Sequence, residues 1–174
     1  MRRAIPAGFT MVELIVVIVL IGIISTVAVS RFQDTRQFTA LSFSQEIKSL
    51  AQFGQKLAIA QNRAVFLAVS ASRAALCYDA ACTQPVVSAA MGNSKRTATV
   101  TACANTSWLC EGTPGALAMT STSPAMFFNA VGRPFASGDS TASDTSTFAN
   151  FIITITGGEA PQTVTIERET GYVH

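Results

Sequence analysis

Histidine is nearly absent: the single one, His174, is the last of 174 residues. A Cys-His or Ser-His nucleophile would need that tail folded back into a pocket. The sequence therefore predicts no catalytic residue and no enzyme, and it predicts His174 in a frayed tail. Charge is scarce as well, with charged residues at 13% of the chain and 12 basic residues against 10 acidic. That balance does not indicate a stripe for nucleic acid. A dedicated calcium loop is also lacking, because Asp139 and Asp144 have the wrong spacing and no glutamate follows at a useful distance. Residues 137–147, rich in Ser and Thr, read instead as a mobile surface loop. Trp108 is the one tryptophan, and between Cys103 and Cys110 it reads as a loop anchor rather than a platform for stacking a ligand.

Cysteine is present only as two pairs, Cys77 with Cys82 and Cys103 with Cys110, each set among small polar residues. Four cysteines allow three connectivities, and sequence does not choose among them rigorously. The pairings 77–82 and 103–110 are favoured because short loops close at low entropic cost, in the oxidising compartment expected for an exported chain. A zinc site calls for tighter spacing, typically about two to four residues between paired ligands, and no metal or cofactor is expected.

What the chain has in abundance is one apolar run. Gly8 to Val29 reads Gly-Phe-Thr-Met-Val-Glu-Leu-Ile-Val-Val-Ile-Val-Leu-Ile-Gly-Ile-Ile-Ser-Thr-Val-Ala-Val, with Arg2 and Arg3 before it. As a helix, Phe9 to Val29 would span about 31 Å at about 1.5 Å per residue, enough to cross a hydrocarbon core. Glu13 is the single acid in that run, and an ionised carboxylate there is costly enough to call for a partner or a task. A cleavable secretory signal fits poorly. Its processing site follows the apolar run, and the run holds no acid, whereas Gly8-Phe9 precedes this one and Glu13 lies inside it.

A short basic leader ending in Gly8, then Phe9, Thr10, an apolar pair, Glu13 and Leu14 resembles the type IV prepilin signature. The resemblance implies that a prepilin peptidase cuts between Gly8 and Phe9 on the cytoplasmic side and methylates the new amino group of Phe9. It also implies that Glu13 pairs with the N-terminal ammonium of a neighbouring subunit in a filament, since two charges in a low dielectric cost less together than apart. Arg2 and Arg3 would hold the leader inside, leaving everything after Val29 across the inner membrane. Removing both with the leader brings 12 basic residues to 10, equal to the 10 acidic ones.

Beyond the apolar run the pattern stays helical. Phe43, Ile47, Leu50, Gly54, Leu57 and Gln61 fall at alternating spacings of four and three, and Ala51 and Ala58 widen the face. One helix is predicted from about Thr10 to Asn62; the alternative is two helices broken at residues 30–34. Many relatives of the family carry a proline where this chain has Ser30, and its absence leaves no sequence reason for a kink. The expected division is 1–8 leader, 9–29 transmembrane half-helix, 30–62 helix on the head, and 63–174 β-rich head.

After Asn62 the period becomes two. Residues 64–69 read as a strand, with 76–79 as its returning arm, and 97–101, Thr-Ala-Thr-Val-Thr, alternates like a strand. Residues 125–129 lead into a Gly132-Arg133-Pro134 turn, and residues 148–156 and 163–168 form a hairpin through Gly157 to Pro161. The fold class is thus α+β, a long N-terminal helix packed on an antiparallel head, and the resemblance to type IV prepilins implies a pilin fold.

The order of helix, strand, Phe-Asn-x-x-Gly-Arg-Pro segment and closing Thr-Gly is similar to the GspH/FimT family of minor pilins and pseudopilins. Phe128, Asn129, Gly132, Arg133, Pro134, Thr170 and Gly171 carry the likeness, while residues 71–120 lie outside it. This implies a structural subunit, a minor pilin of a mannose-sensitive-haemagglutinin-like type IV pilus, with a pseudopilin of type II secretion as the alternative. Its partners would be other pilins, the prepilin peptidase and the inner-membrane assembly platform. A DNA receptor for transformation is disfavoured, because the tail from Glu167 to His174 carries two acids against one Arg.

Overall fold

The structure, a computed structural model, describes residues 10–88, 92–104 and 107–174, without the side chains of residues 26–34. The chain divides into two units, Met1–Thr35 and Arg36–His174. Helix α1 (Met11–Gln61) is a single element, helical through residues 30–34, within a residue of the predicted bounds at either end.

In the first unit, Met11 to Ser25 is apolar on every side and exposed on every side, with Met11 at 82% and Ile24 at 65%. A run this rich in Val and Ile has no strong helix propensity in water. Its backbone is helical, and Ser25 Oγ donates to Ile21 O at 2.7 Å, so even the hydroxyl is satisfied within the helix. Among the described residues no helix is long and apolar enough to cross a membrane. Met11 to Ser25 rises only about 22 Å at about 1.5 Å per residue, against a hydrocarbon core of about 30 Å. The span expected over Phe9 to Val29 extends past these residues at both ends.

In the second unit the helix buries one face. Ala40, Phe43, Ile47, Leu50, Ala51 and Ala58 are buried, and Gly54 lets the backbone approach closely, since a Cβ there would meet Leu76 Cδ2 at 2.8 Å. Gln61, expected on this face, is exposed and accepts from the Tyr78 hydroxyl at 2.9 Å. The helix closes with Asn62 at φ 50°, with Arg63 N bonded to Ala58 O at 3.1 Å and Asn62 N to Ile59 O at 3.2 Å. These are the paired bonds of a Schellman stop, with asparagine at the left-handed position.

Strands β1 (Val65–Val69) and β2 (Arg73–Cys77) follow, then a short helix α2 (Thr97–Cys103) and β3 (Cys110–Gly112). After these come β4 (Ala118–Ser121), β5 (Ala125–Phe128), β6 (Pro134–Ala136), β7 (Phe151–Thr156) and β8 (Gln162–Ile166). A five-stranded sheet runs β3-β2-β1-β5-β6 and a three-stranded one β4-β7-β8, with every pairing antiparallel. The α+β reading therefore holds: an N-terminal helix packs on antiparallel sheets.

Both faces of the larger sheet are covered. Val65, Leu67 and Val69 join the core under α1, whereas Phe66 joins a second cluster with Cys77, Cys103, Cys110, Trp108, Phe127 and Phe135. The alternation in the sequence separates two cores here, and not core from solvent. The smaller sheet shows the usual one-sided form: Phe151, Ile153 and Ile155 are buried while Ile152 and Thr156 are exposed.

Three expectations are corrected. The Thr-rich stretch 97–101 is helix α2, because Thr99 is buried and its Oγ1 accepts from Gly112 N at 3.1 Å while lying 3.1 Å from Glu111 Oε2. That polar docking outweighs a weak strand propensity. The returning arm of β1 begins at Arg73, not Leu76. The 137–147 loop is tied down by Asp139, which accepts from Ala136 N at 3.1 Å, Thr147 N at 2.9 Å and Thr147 Oγ1 at 2.6 Å.

Candidate functional site

Gly8 and Phe9, the expected processing pair, lie outside the described residues, as do Arg2 and Arg3. The description begins at Thr10, whose Oγ1 accepts from Glu13 N at 3.3 Å and whose carbonyl accepts from Leu14 N at 3.2 Å. Thr10 thus caps α1, a role the sequence reading missed although the Thr-x-x-Glu pattern could have signalled it. Glu13 sits in the first turn, exposed, where the partial positive charge of the helix end favours an acid. No ion pair of Glu13 is found among the described residues.

In the head, the segments 128–134 and 170–171 meet on one side chain. Gln55 Nε2 donates to Gly132 O at 2.9 Å and to Thr170 O at 3.1 Å, so α1 holds two turns far apart in sequence. Asn129 Oδ1 builds the first turn by accepting from Val131 N at 3.1 Å and Arg133 N at 2.9 Å. Gly132 at φ 82° and Gly171 at φ 66° occupy left-handed backbone, and a Cβ on Gly171 would meet Gln55 Nε2 at 2.8 Å. Nothing in the sequence singles out Gln55 among the glutamines of α1.

Residues 6–29 match the prokaryotic N-terminal methylation motif. The chain carries that methylation motif. No curated protein matches the chain. Two crystal structures of the type IV minor pilin FimU of Pseudomonas aeruginosa are similar to it at 13% identity. One, in space group P21, covers 80% of this chain and 90% of that chain with a TM-score of 0.46. The other, in P65, covers 77% and 90% with a TM-score of 0.44. The methylation motif takes in Gly8, Phe9, the cap Thr10 and Glu13, and it ends at Val29 within the first unit.

Behind the methylation motif the head is stapled by Cys77–Cys82 and Cys103–Cys110, with Cα atoms 5.1 and 6.0 Å apart. Asp79, inside the first loop, accepts from Gln84 N at 2.8 Å, Thr83 N at 3.0 Å and Thr83 Oγ1 at 2.7 Å. These bonds, the Gln84 amide foremost, hold its carboxyl below the usual carboxylate value of 3.8. Asp139 is held low in the same way, first by the Thr147 hydroxyl. With both its oxygens engaged by loop donors, Asp139 is an organiser of its loop.

Trp108 is buried and donates from Nε1 to Leu76 O at 2.9 Å, with the Arg73 guanidinium 4.8 Å from its ring centroid. It anchors the loop and offers no exposed face. The tail is not frayed: His174 exchanges backbone hydrogen bonds with Thr165 at 2.9 and 3.0 Å, and Val173 is buried. His174 Nε2 lies 2.9 Å from Glu167 Oε1, and Arg168 pairs with Glu169 at 2.9 Å. The tail thus forms an added edge on β8, and its acids lie beside its own basic groups.

Proposed function

We infer that the chain is a structural subunit, a minor pilin, of a type IV pilus. Prepilin peptidase cuts between Gly8 and Phe9, the amino group of Phe9 is methylated, and the apolar half of α1 holds the chain in the inner membrane until it enters the filament. The observation that carries this reading is that the methylation motif coincides with a helical run exposed and apolar on all sides, interrupted by one acid. A helix apolar all round needs cover from lipid or from other helices. In the bilayer the cover is lipid; in the filament it is the same segment of neighbouring subunits. Glu13 then meets the ammonium of a neighbour's Phe9, a pairing that offsets the cost of either charge alone. The head contributes to assembly or adhesion.

Glu13→Ala is expected to leave membrane insertion intact and to deplete the protein from sheared filaments by about tenfold or more, as loss of one partner of a desolvated pair implies. Quantitative immunoblotting of membrane and filament fractions checks it, and normal filament levels of the variant contradict the docking role. Gly8→Val is expected to block processing, because a side chain beside the scissile bond obstructs the peptidase. A Gly8→Val chain that still matured to methylated Phe9 would overturn that step.

A further inference from the structure

Arg133 is an unexplained residue of the head. The turn it belongs to uses only its backbone, through Arg133 N to Asn129 Oδ1 at 2.9 Å and Asn129 N to Arg133 O at 3.0 Å. Any residue but proline could supply those two groups. Its side chain is exposed, and among the described residues its guanidinium has no ion pair. It lines an open cavity of about 340 Å³ with Ser146, Thr147, Phe148, Arg168 and Glu169.

That cavity is built on fixed backbone. Arg168 is pinned by its own N–H to Asn150 Oδ1 at 3.0 Å, as Arg133 is pinned by Asn129. The wall at 146–148 is held by Ser146 Oγ to Pro134 O at 2.8 Å and by Thr147 Oγ1 to Asp139 Oδ1 at 2.6 Å. Those bonds use up the hydroxyl protons of Ser146 and Thr147, so the donors left for a ligand are guanidinium N–H groups. Arg168 has given Nε and Nη2 to Glu169 Oε1, at 3.0 and 2.9 Å, which leaves its other nitrogen. Arg133 keeps its whole fork.

We propose that Arg133 and Arg168 form a binding site for one compact carboxylate, on a molecule or side chain the size of a single sugar acid or glutamate. Two guanidiniums and one Glu169 carboxylate leave one positive charge at the cavity, which one carboxylate neutralises. A guanidinium fork matches a carboxylate in a planar, two-bond geometry, the strongest neutralising contact available to it. A polyanion fits less well, since Glu169 sits in the cavity and Glu167 lies beside Arg168 in the chain, so successive phosphates would meet acid. This site does not depend on the filament reading and stands or falls separately.

The test is calorimetric titration of the full-length protein in detergent micelles with D-galacturonate, N-acetylglutamate amide, inorganic phosphate and a short single-stranded oligonucleotide. Saturable binding of galacturonate or of the glutamate amide is expected, and which of the two binds tells a sugar-acid source from a protein one. Arg133→Gln is expected to weaken that binding about tenfold, as loss of a charge-assisted two-bond contact implies. Arg133→Lys should recover only part of it, and Glu169→Gln should tighten it by freeing Arg168. Each variant is exposed and keeps the backbone bonds of its turn, so an unchanged unfolding midpoint guards against misfolding. No saturable binding of either carboxylate, binding unaltered in Arg133→Gln, or tighter and steeply salt-dependent binding of the oligonucleotide would overturn the proposal.

Discussion

Gln55 and Asp79 show how much of this head rests on single polar side chains. Gln55→Leu keeps the volume but removes the bonds to the Gly132 and Thr170 carbonyls, the first part-buried and the second open to water, and it should cost about 1 kcal/mol. Gly171→Ala should cost at least about 1 kcal/mol, since it forces a Cβ into left-handed backbone and against Gln55. Denaturant unfolding of the full-length chain checks both, and an unmoved midpoint for Gln55→Leu removes the clamp from the account. Asp79 predicts a pH effect with a definite sign. Its folded pKa lies below 3.8, so the stability it contributes is present above about pH 4 and is lost as pH falls through the folded value. Amide exchange at Thr83 and Gln84 should quicken, relative to the intrinsic rate, in acid in the native chain, and Asp79→Asn should remove that pH dependence. At this scale the sequence was readable where local chemistry speaks, as at the Gly132-Arg133-Pro134 turn, while the cap at Thr10 was missed although Thr-x-x-Glu could have signalled it. It was silent at Gln55, because a partner 77 residues away and another 115 away leave no local mark.

Among the elements, α2 is the instructive one. Thr-Ala-Thr-Val-Thr has the alternation and composition of a strand, and tertiary context makes it a helix. Thr99 Oγ1 serves Gly112 N, with Glu111 and Ser94 Oγ within 3.1 Å, and Cys103 is tethered to Cys110 on β3. Gly112 must be glycine for this packing, since a Cβ there would lie 2.4 Å from Ala98 O. Thr99→Val, which keeps shape and strand propensity but removes the hydroxyl, is expected to cost about 1–3 kcal/mol by leaving buried groups unpaired. Hydrogen exchange should show the loosening confined to residues 97–112. Faster exchange spread evenly over β7 and β8 as well would mean that α2 is not a locally docked element. By contrast α1 was readable to within a residue at either end and the β7-β8 hairpin to within three, because a 3.6 period from Phe43 to Leu57 and a period of two each bury one face. β3, β4 and β6, three or four residues apiece, are too short to carry a period at all.

As a whole molecule, the chain joins a run that is apolar on all sides to a head with two cores, two disulfides and a tail sewn onto a sheet edge. The head is complete in its own packing, whereas the run from Met11 to Ser25 buries nothing within its unit. That contrast is why the methylation motif, and not any pocket of the head, leads the functional reading. A helix apolar on every side calls for cover from outside its own unit. The most direct measurement is mass spectrometry of the N-terminal peptide of this protein in filaments sheared from the native cell. The account predicts a chain that begins at Phe9, carries one added methyl group on its amino nitrogen, and is present in the filament fraction. A chain that keeps residues 1–8, that is cut elsewhere such as after the apolar run, or that is missing from the filaments would contradict it.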